Sequence, residues 1–335
     1  MDVQRYRYVA LSGGGMLGRL HLGMKQALDE YIVERHGVGA DGAWWDALKG
    51  VIGCSAGSLL GLCLLLHLPD DTLDEIGRMS CQRHYVLKQP DLGTLTGRYG
   101  LDDASGLYDM VTFILTKGGL SCNITFRELR RYVRKDFVVV ATNVERAEKL
   151  YLSAETAPDM EVREAVVASC RLPLVYAPVR IREGMTLCDG GLCECQPVYF
   201  PIEETLNWTH SYSFRSGFTF DDVEVRRSPI VYATALFQTI GEHQFQKFDP
   251  RHTLYSLLPG MEDTVETFSF DDCDHDSFLD TRRTVRWFVA DQLRGKPVIR
   301  SIGVVALIVV RFAAPVIECG RGGSPDRWWR REGRV

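Results

Sequence analysis

Residues 48–68 read LKGVIGCSAGSLLGLCLLLHL. A short apolar run, LKGVIG at 48–53, gives way to a second and nearly continuous one that begins at Ser55. The first suits a buried strand, and the second a helix that is apolar almost all round and therefore buried. At fourteen residues, 55–68, that helix is too short for a comfortable membrane span, and Pro69, Asp70 and Asp71 close it. Between strand and helix stands Gly53-Cys54-Ser55-Ala56-Gly57, a G-x-S-x-G arrangement. A sharp turn of this kind lifts the serine oxygen to the C-terminal edge of a sheet, and small flanking residues let the backbone make it. The following helix aims its N-terminal N–H groups and the positive end of its dipole at the same place. Ser55 is the candidate nucleophile, with Gly53 and Gly57 as its supports; the bland alternative is a plain glycine-rich strand-to-helix turn.

Toward the N-terminus, residues 6–12 (YRYVALS) read as a first strand, ended by glycines. Helical spacing follows over 16–31, with Leu17, Leu20, Met24, Ala27, Leu28 and Tyr31 recurring every three or four residues. Gly13-Gly14-Gly15-Met16-Leu17-Gly18 fits G-x-G-x-x-G between the two. One reading is a dinucleotide fingerprint, which needs an acid ending the next strand about twenty residues on. Asp41 is at that distance, but residues 39–42 (GADG) look like a turn. The other is a nest of backbone N–H groups along this loop that holds a tetrahedral oxyanion, with Gly18 in support. The nucleophile turn after the next strand favours the oxyanion reading; close packing of helix on strand is the third.

Toward the C-terminus, residues 72–89 have helical character, 90–105 read as a Gly- and Asp-rich loop, and 107–116 and 126–134 as helices. Thr125 and Glu128 form a capping box before the second. Residues 137–142 (FVVVAT) are a continuous apolar strand of the kind covered on both faces, and 150–153 supply a short neighbour. A helix at 162–169 and a strand at 185–188 lead to Asp189-Gly190-Gly191. Beyond residue 201 the pattern weakens, with helices at 230–248 and 277–293. The alternation predicts an α/β fold with a mostly parallel central sheet.

A serine nucleophile needs a base. Of the eight histidines, none stands in a loop motif that advertises one; His21 and His67 lie within helical patterns, and His243 is the best rival. Asp189 is the stronger candidate. An acid at a strand end followed by Gly190 and Gly191 can approach another strand end closely, and partial burial there would raise its pKa toward the range of a useful base. A simple Asp-Gly turn is the alternative.

Composition narrows the classes. A formal charge of −5 over 335 residues gives no basic excess that would point to nucleic acid. The ten cysteines form no C-x-x-C pair, and several sit in apolar runs as small core residues; Cys188, Cys193 and Cys195 remain the one conceivable zinc set. No secretory signal is expected at Met1–Arg7, which points to a reducing, intracellular and cytoplasmic setting.

These three motifs in this order resemble the patatin-like phospholipase family. The resemblance extends over 12–30 (SGGGMLGRLHLGMKQALDE), 125–153, 165–179 (AVVASCRLPLVYAPV) and 189–198 (DGGLCECQPV), and so covers about residues 6–201. It implies a three-layer α/β/α sandwich related to α/β-hydrolase architectures, a Ser55–Asp189 dyad without histidine, and hydrolysis of fatty acyl esters in phospholipids or acylglycerols at a membrane or lipid surface. It implies no obligatory metal, and no cofactor is expected. By position Ser55 is nucleophile, Asp189 base and general acid, and the N–H groups of the glycine loop form the oxyanion hole. Two departures stand out. Members often carry a basic residue inside the glycine loop, where this chain has Met16-Leu17 and its arginine only at Arg19; members often carry asparagine where this chain has Cys195.

The expected organisation is a catalytic core over 6–201, a helical extension over 202–297 that completes the domain, and an apolar segment with a basic tail over 298–335. Residues 299–317 (IRSIGVVALIVVRFAAPVI) are about the length of a membrane span but are interrupted by Arg300 and Arg311. A membrane anchor, an interfacial segment and a buried element of the fold are the three readings. The tail carries Trp328 and Trp329 among arginines, a composition suited to an anionic lipid surface. Against the serine lipid hydrolase stand a catalytically idle lipid-binding module on the same fold and a nucleotide-binding α/β protein.

Overall fold

The computed structural model describes residues 1–80, 82, 87–88, 91–182, 185–209, 250–255 and 275–295. Its strands are β1 (Tyr8–Leu11), β2 (Gly50–Cys54), β3 (Gly100–Asp102), β4 (Asp136–Asn143), β5 (Glu148–Leu152), β6 (Leu174–Tyr176), β7 (Val179–Arg182), β8 (Met185–Asp189), β9 (Thr205–Thr209) and β10 (Thr253–Tyr255). Its helices are α1 (His21–His36), α2 (Ala40–Ala47), α3 (Ala56–Leu65), α4 (Asp70–Ser80), α5 (Leu92–Arg98), α6 (Ser105–Lys117), α7 (Phe126–Val133), α8 (Val162–Ser169) and α9 (His275–Leu293). The fold is α/β, with a central, mostly parallel sheet flanked by helices. Strands run parallel in the order β10-β9-β1-β2-β4, while β5 and β8 join β4 antiparallel and β7 joins β8. β3 and β6 form a separate parallel pair.

Period-two alternation sorts the side chains of the sheet into two faces. Val9, Leu11, Val51, Val139, Ala141, Leu206 and Trp208 enter the large core shared with the helices. Ala10, Ile52, Val138 and Val140 face the other way, into a smaller cluster packed by Tyr151 and Phe200. Both faces of β4 are thus buried, which is why its sequence is an unbroken apolar run.

Several elements depart from the sequence expectation. The first helix opens with a 3-10 segment at Gly15–Leu20 and becomes α-helical only at His21. Residues 39–42 are the start of α2 rather than a turn: Gly39, at φ 84°, is its N-cap and Asp41 sits in its first turn. Asp41 therefore ends no strand, and the acid required by a dinucleotide site is not supplied there. The loop expected at 90–105 contains α5 and β3. The stretch beyond 201, read as helical, contributes β9 directly beside β1 and β10 beyond it. Helix α9 packs along α1, where Gly23 has no room for a Cβ against the Arg282 carbonyl. The helix expected at 230–248 lies outside the described residues.

Candidate active site

β2 ends in a sharp turn at Ser55, whose φ of 50° and ψ of −127° put a non-glycine residue in a conformation of appreciable strain. The neighbours permit it by being absent. A Cβ on Gly53 would meet the Gly57 carbonyl oxygen, and one on Gly57 would stand 2.5 Å from the carbonyl oxygens of Leu11 and Ser12. The residues that make G-x-S-x-G are therefore the ones at which helix α3 and strands β1 and β2 come into backbone contact. From the first turn of α3, the Ser58 N–H and hydroxyl both donate to the Ser55 carbonyl, at 2.8 and 2.6 Å.

Asp189 reaches this turn through an unusual use of β4. Val139 pairs with both Gly53 and Leu152, and Ala141 with both Leu150 and Asp189. A strand has two edges, so β5 occupies one, and β2 and β8 share the other end to end. β2 runs up that edge to Cys54 opposite Val140; β8 runs down it to Asp189 opposite Ala141. The two strand ends meet head-on, and Ser55 Oγ donates to Asp189 Oδ2 at 2.7 Å. The Gly191 N–H donates to the other carboxyl oxygen at 2.8 Å, the Asp189 N–H donates to the Arg171 carbonyl, and Thr142 Oγ1 donates to the Asp189 carbonyl. A Cβ on Gly190 would collide with the Val140 carbonyl, so the chain can leave β8 this close to β4 only as glycine.

Burial pushes the Asp189 carboxyl up to about 7; the Ser55 hydroxyl and the Gly191 N–H pull it partly back. Four thiols surround it. Cys54, Cys170 and Cys188 are buried and held well above their ordinary range by burial, and Cys195 is pushed up to about 12 by burial and then by the Asp189 charge. Such thiols are neutral near pH 7. Among the described residues no group of three His, Cys, Asp or Glu side chains could hold a metal ion. A carboxyl poised near 7 at hydrogen-bond distance from a serine hydroxyl can take up and return a proton at neutral pH.

The glycine loop lies across the same end of the sheet. The Ser12 N–H donates to the Trp208 carbonyl at 2.9 Å, and the Gly13 N–H to the Cys195 carbonyl at 2.8 Å. The Gly13 Cα has Ser55, Cys54 and Cys195 around it: a Cβ there would lie 3.2 Å from Cys195 Sγ and 3.3 Å from Ser55 Cβ. Gly15 turns the chain with φ 52° into the 3-10 segment, and Gly18 packs so closely on Ala56 that a Cβ would overlap the Ala56 methyl. The motif thus brings Gly13 and Gly18 to either side of the Ser55 turn. The side chains of Met16 and Arg19 lie outside the described part of the structure.

Of the histidines, His21 is fully buried with its ring 6.1 Å from that of Trp208, and His67 is exposed beside Lys135. His243 and the apolar run 299–317 lie outside the described residues. Sequence reasoning missed Ser169, whose buried hydroxyl contacts the Ser55 N–H. Its only sequence signal is a serine closing an otherwise apolar helical run, which is common.

The sequence model for the patatin-like phospholipases matches residues 9–204, from β1 to the segment before β9. The chain belongs to the patatin-like phospholipase family. It is similar to a probable lipid hydrolase, 463L, of Invertebrate iridescent virus 6, at 23% identity over 72% of this chain and 75% of the viral protein. It is also similar to an uncharacterised protein, R571, of Acanthamoeba polyphaga mimivirus, at 25% identity over 66% of this chain and 70% of that one. In structure it resembles VipD of Legionella pneumophila, with a TM-score of 0.50 and 17% identity, covering 87% of this chain and 67% of VipD. That likeness speaks to the fold.

Proposed function

We propose that this patatin-like protein is a serine lipid acyl hydrolase that works through a Ser55–Asp189 dyad on phospholipids or acylglycerols. The observation that carries the reading is the 2.7 Å hydrogen bond from Ser55 Oγ to a buried carboxyl whose pKa lies at about 7. Ser55 Oγ attacks the ester carbonyl as Asp189 takes its proton; the C–O bond to the alcohol breaks, and Asp189 returns the proton to the departing oxygen. Water, deprotonated by Asp189, then attacks the acyl-serine, releasing the fatty acid and restoring the hydroxyl. The Gly13 N–H is committed to the Cys195 carbonyl, so the oxyanion falls to Gly14, Gly15 and Met16, each well-placed donor contributing about 3 kcal/mol. Gly13 instead fixes the loop.

Family membership and the viral lipid hydrolase support lipid as the substrate class. Among the described residues no helix is long and apolar enough to cross a membrane. The described parts of 202–297 belong to the same domain on this reading, supported by β9 against β1 and α9 against α1. The test is release of free fatty acid from phosphatidylcholine vesicles and from triacylglycerol emulsions. Wild type should release fatty acid from at least one, and Ser55→Ala from neither; equal release by both proteins would refute the assignment.

A further inference from the structure

Where β2 and β8 meet head-on, neither strand continues, and the shared edge of β4 changes partner strand between Val140 and Ala141. The last residue of α8 fills it. Ser169 is fully buried; its hydroxyl accepts the Ser55 N–H at 2.8 Å and donates to the Val140 carbonyl at 2.6 Å. One hydroxyl thus serves as acceptor and donor at once, joining the nucleophile's own amide to β4, the strand along whose edge β2 and β8 both end. Two residues on, the Arg171 carbonyl accepts the Asp189 N–H at 2.9 Å. The Arg171 side chain is buried and anchored by the Ala177 carbonyl and the Tyr108 hydroxyl. The segment 169–171 therefore holds the main-chain amides of both members of the pair.

We propose that Ser169 is a positioning residue for the nucleophile. By holding the Ser55 N–H it fixes the strained turn in the one orientation that aims Oγ at Asp189. It also occupies that N–H, so the nucleophile's amide takes no part in the oxyanion hole. The proposal rests on the dyad reading above. A purely structural role would be different: the hydroxyl would merely satisfy two buried backbone groups, and its loss would lower stability and leave the folded site as reactive as before.

The two roles separate in the kinetics of labelling by a fluorophosphonate probe, which reacts with an activated serine, followed to completion on the full chain. Ser169→Ala should label to the wild-type stoichiometry at a rate constant at least tenfold lower, with kcat reduced by a similar factor and KM unchanged. Ser153→Ala is the control. Ser153 is a buried serine that caps the turn after β5 through the Glu155 and Thr156 N–H groups, and its variant should label at the wild-type rate. Ser169→Cys keeps a weaker donor and acceptor and should fall between wild type and Ser169→Ala; it carries the test alone if the alanine variant does not fold. A wild-type rate constant in either Ser169 variant, at full or reduced stoichiometry, would overturn the proposal. Absence of labelling in wild type would remove the dyad reading itself, whereas a labelled wild type beside an equally fast Ser169→Ala would remove only the role of Ser169.

Discussion

Ser55 and Asp189 stand at the ends of two strands that approach each other along one edge of β4, Cys54 opposite Val140 and Asp189 opposite Ala141. The 2.7 Å hydrogen bond between their side chains is a product of this collinear meeting. Because backbone pairing sets the separation, the geometry does not depend on the rotamer of a long side chain. The Gly191 N–H, two residues on, holds its other oxygen.

The pH dependence of hydrolysis follows from burial of that carboxyl. Asp189 acts as a base only when deprotonated, and its pKa stands at about 7. The rate on a water-soluble acyl ester should rise with pH, tenfold per unit below the midpoint, so that pH 5 gives about one hundredth of the plateau rate. A rate constant that is flat or falling between pH 5 and 8 would show that another group accepts the proton.

The same carboxyl links stability to pH. In the folded chain it keeps its proton up to about 7, whereas an unfolded aspartate releases it near 3.8. Between these values the folded state binds more protons, so this contribution is fully present below about pH 4 and is lost as pH rises through 7. Asp189→Asn carries no such penalty. Its stability relative to wild type should increase from pH 4 to pH 8, by as much as about 4 kcal/mol at about 1.4 kcal/mol per tenfold in proton affinity. Urea melts of both proteins at the two pH values measure it; a difference independent of pH would contradict the assigned burial.

Gly18 and Ala56 offer a packing test. A methyl at 18 would overlap the Ala56 methyl, so Gly18→Ala should cost about 1–3 kcal/mol. Combining it with Ala56→Gly frees the space, and the pair should be less destabilised than the sum of the single changes. A double-mutant cycle from denaturant melts reads the coupling; simple additivity would mean that the two residues do not touch.

Cys195 stands where relatives often have asparagine. Its contribution to the glycine loop is a main-chain carbonyl that accepts the Gly13 N–H, which any residue can supply. Cys195→Ser should therefore retain hydrolysis within about threefold of wild type. A loss of a hundredfold or more would assign the thiol itself a role.

The sequence made the pairing of Ser55 with Asp189 legible because the candidate residues sit in short motifs whose glycines are places of backbone contact: Gly57 against Leu11 and Ser12, Gly190 against Val140. The buried strand β4 and the capping box at Thr125 and Glu128 were equally plain, since burial on both faces and reciprocal capping leave direct marks on residue choice. β9 and β10 left little mark. TLNWT and TLY are short and half polar, and they are strands because β1 offers an open edge, which is a tertiary cause. α2 was hidden by Gly39 and Gly42, whose turn chemistry serves instead to start a helix. The role of Ser169 was illegible for a different reason: its partners are backbone groups of residues 55 and 140, and backbone groups carry no sequence signature.

Activation of Ser55 by Asp189 is read out by covalent labelling of wild type, Ser55→Ala and Asp189→Asn with a fluorophosphonate, with the modified peptide located by mass spectrometry. One adduct is expected on the wild-type peptide containing Ser55, none in Ser55→Ala, and labelling of Asp189→Asn slowed by at least a hundredfold. A folded wild type that stays unlabelled in the presence of lipid vesicles, or an Asp189→Asn variant that labels as fast as wild type, would contradict it.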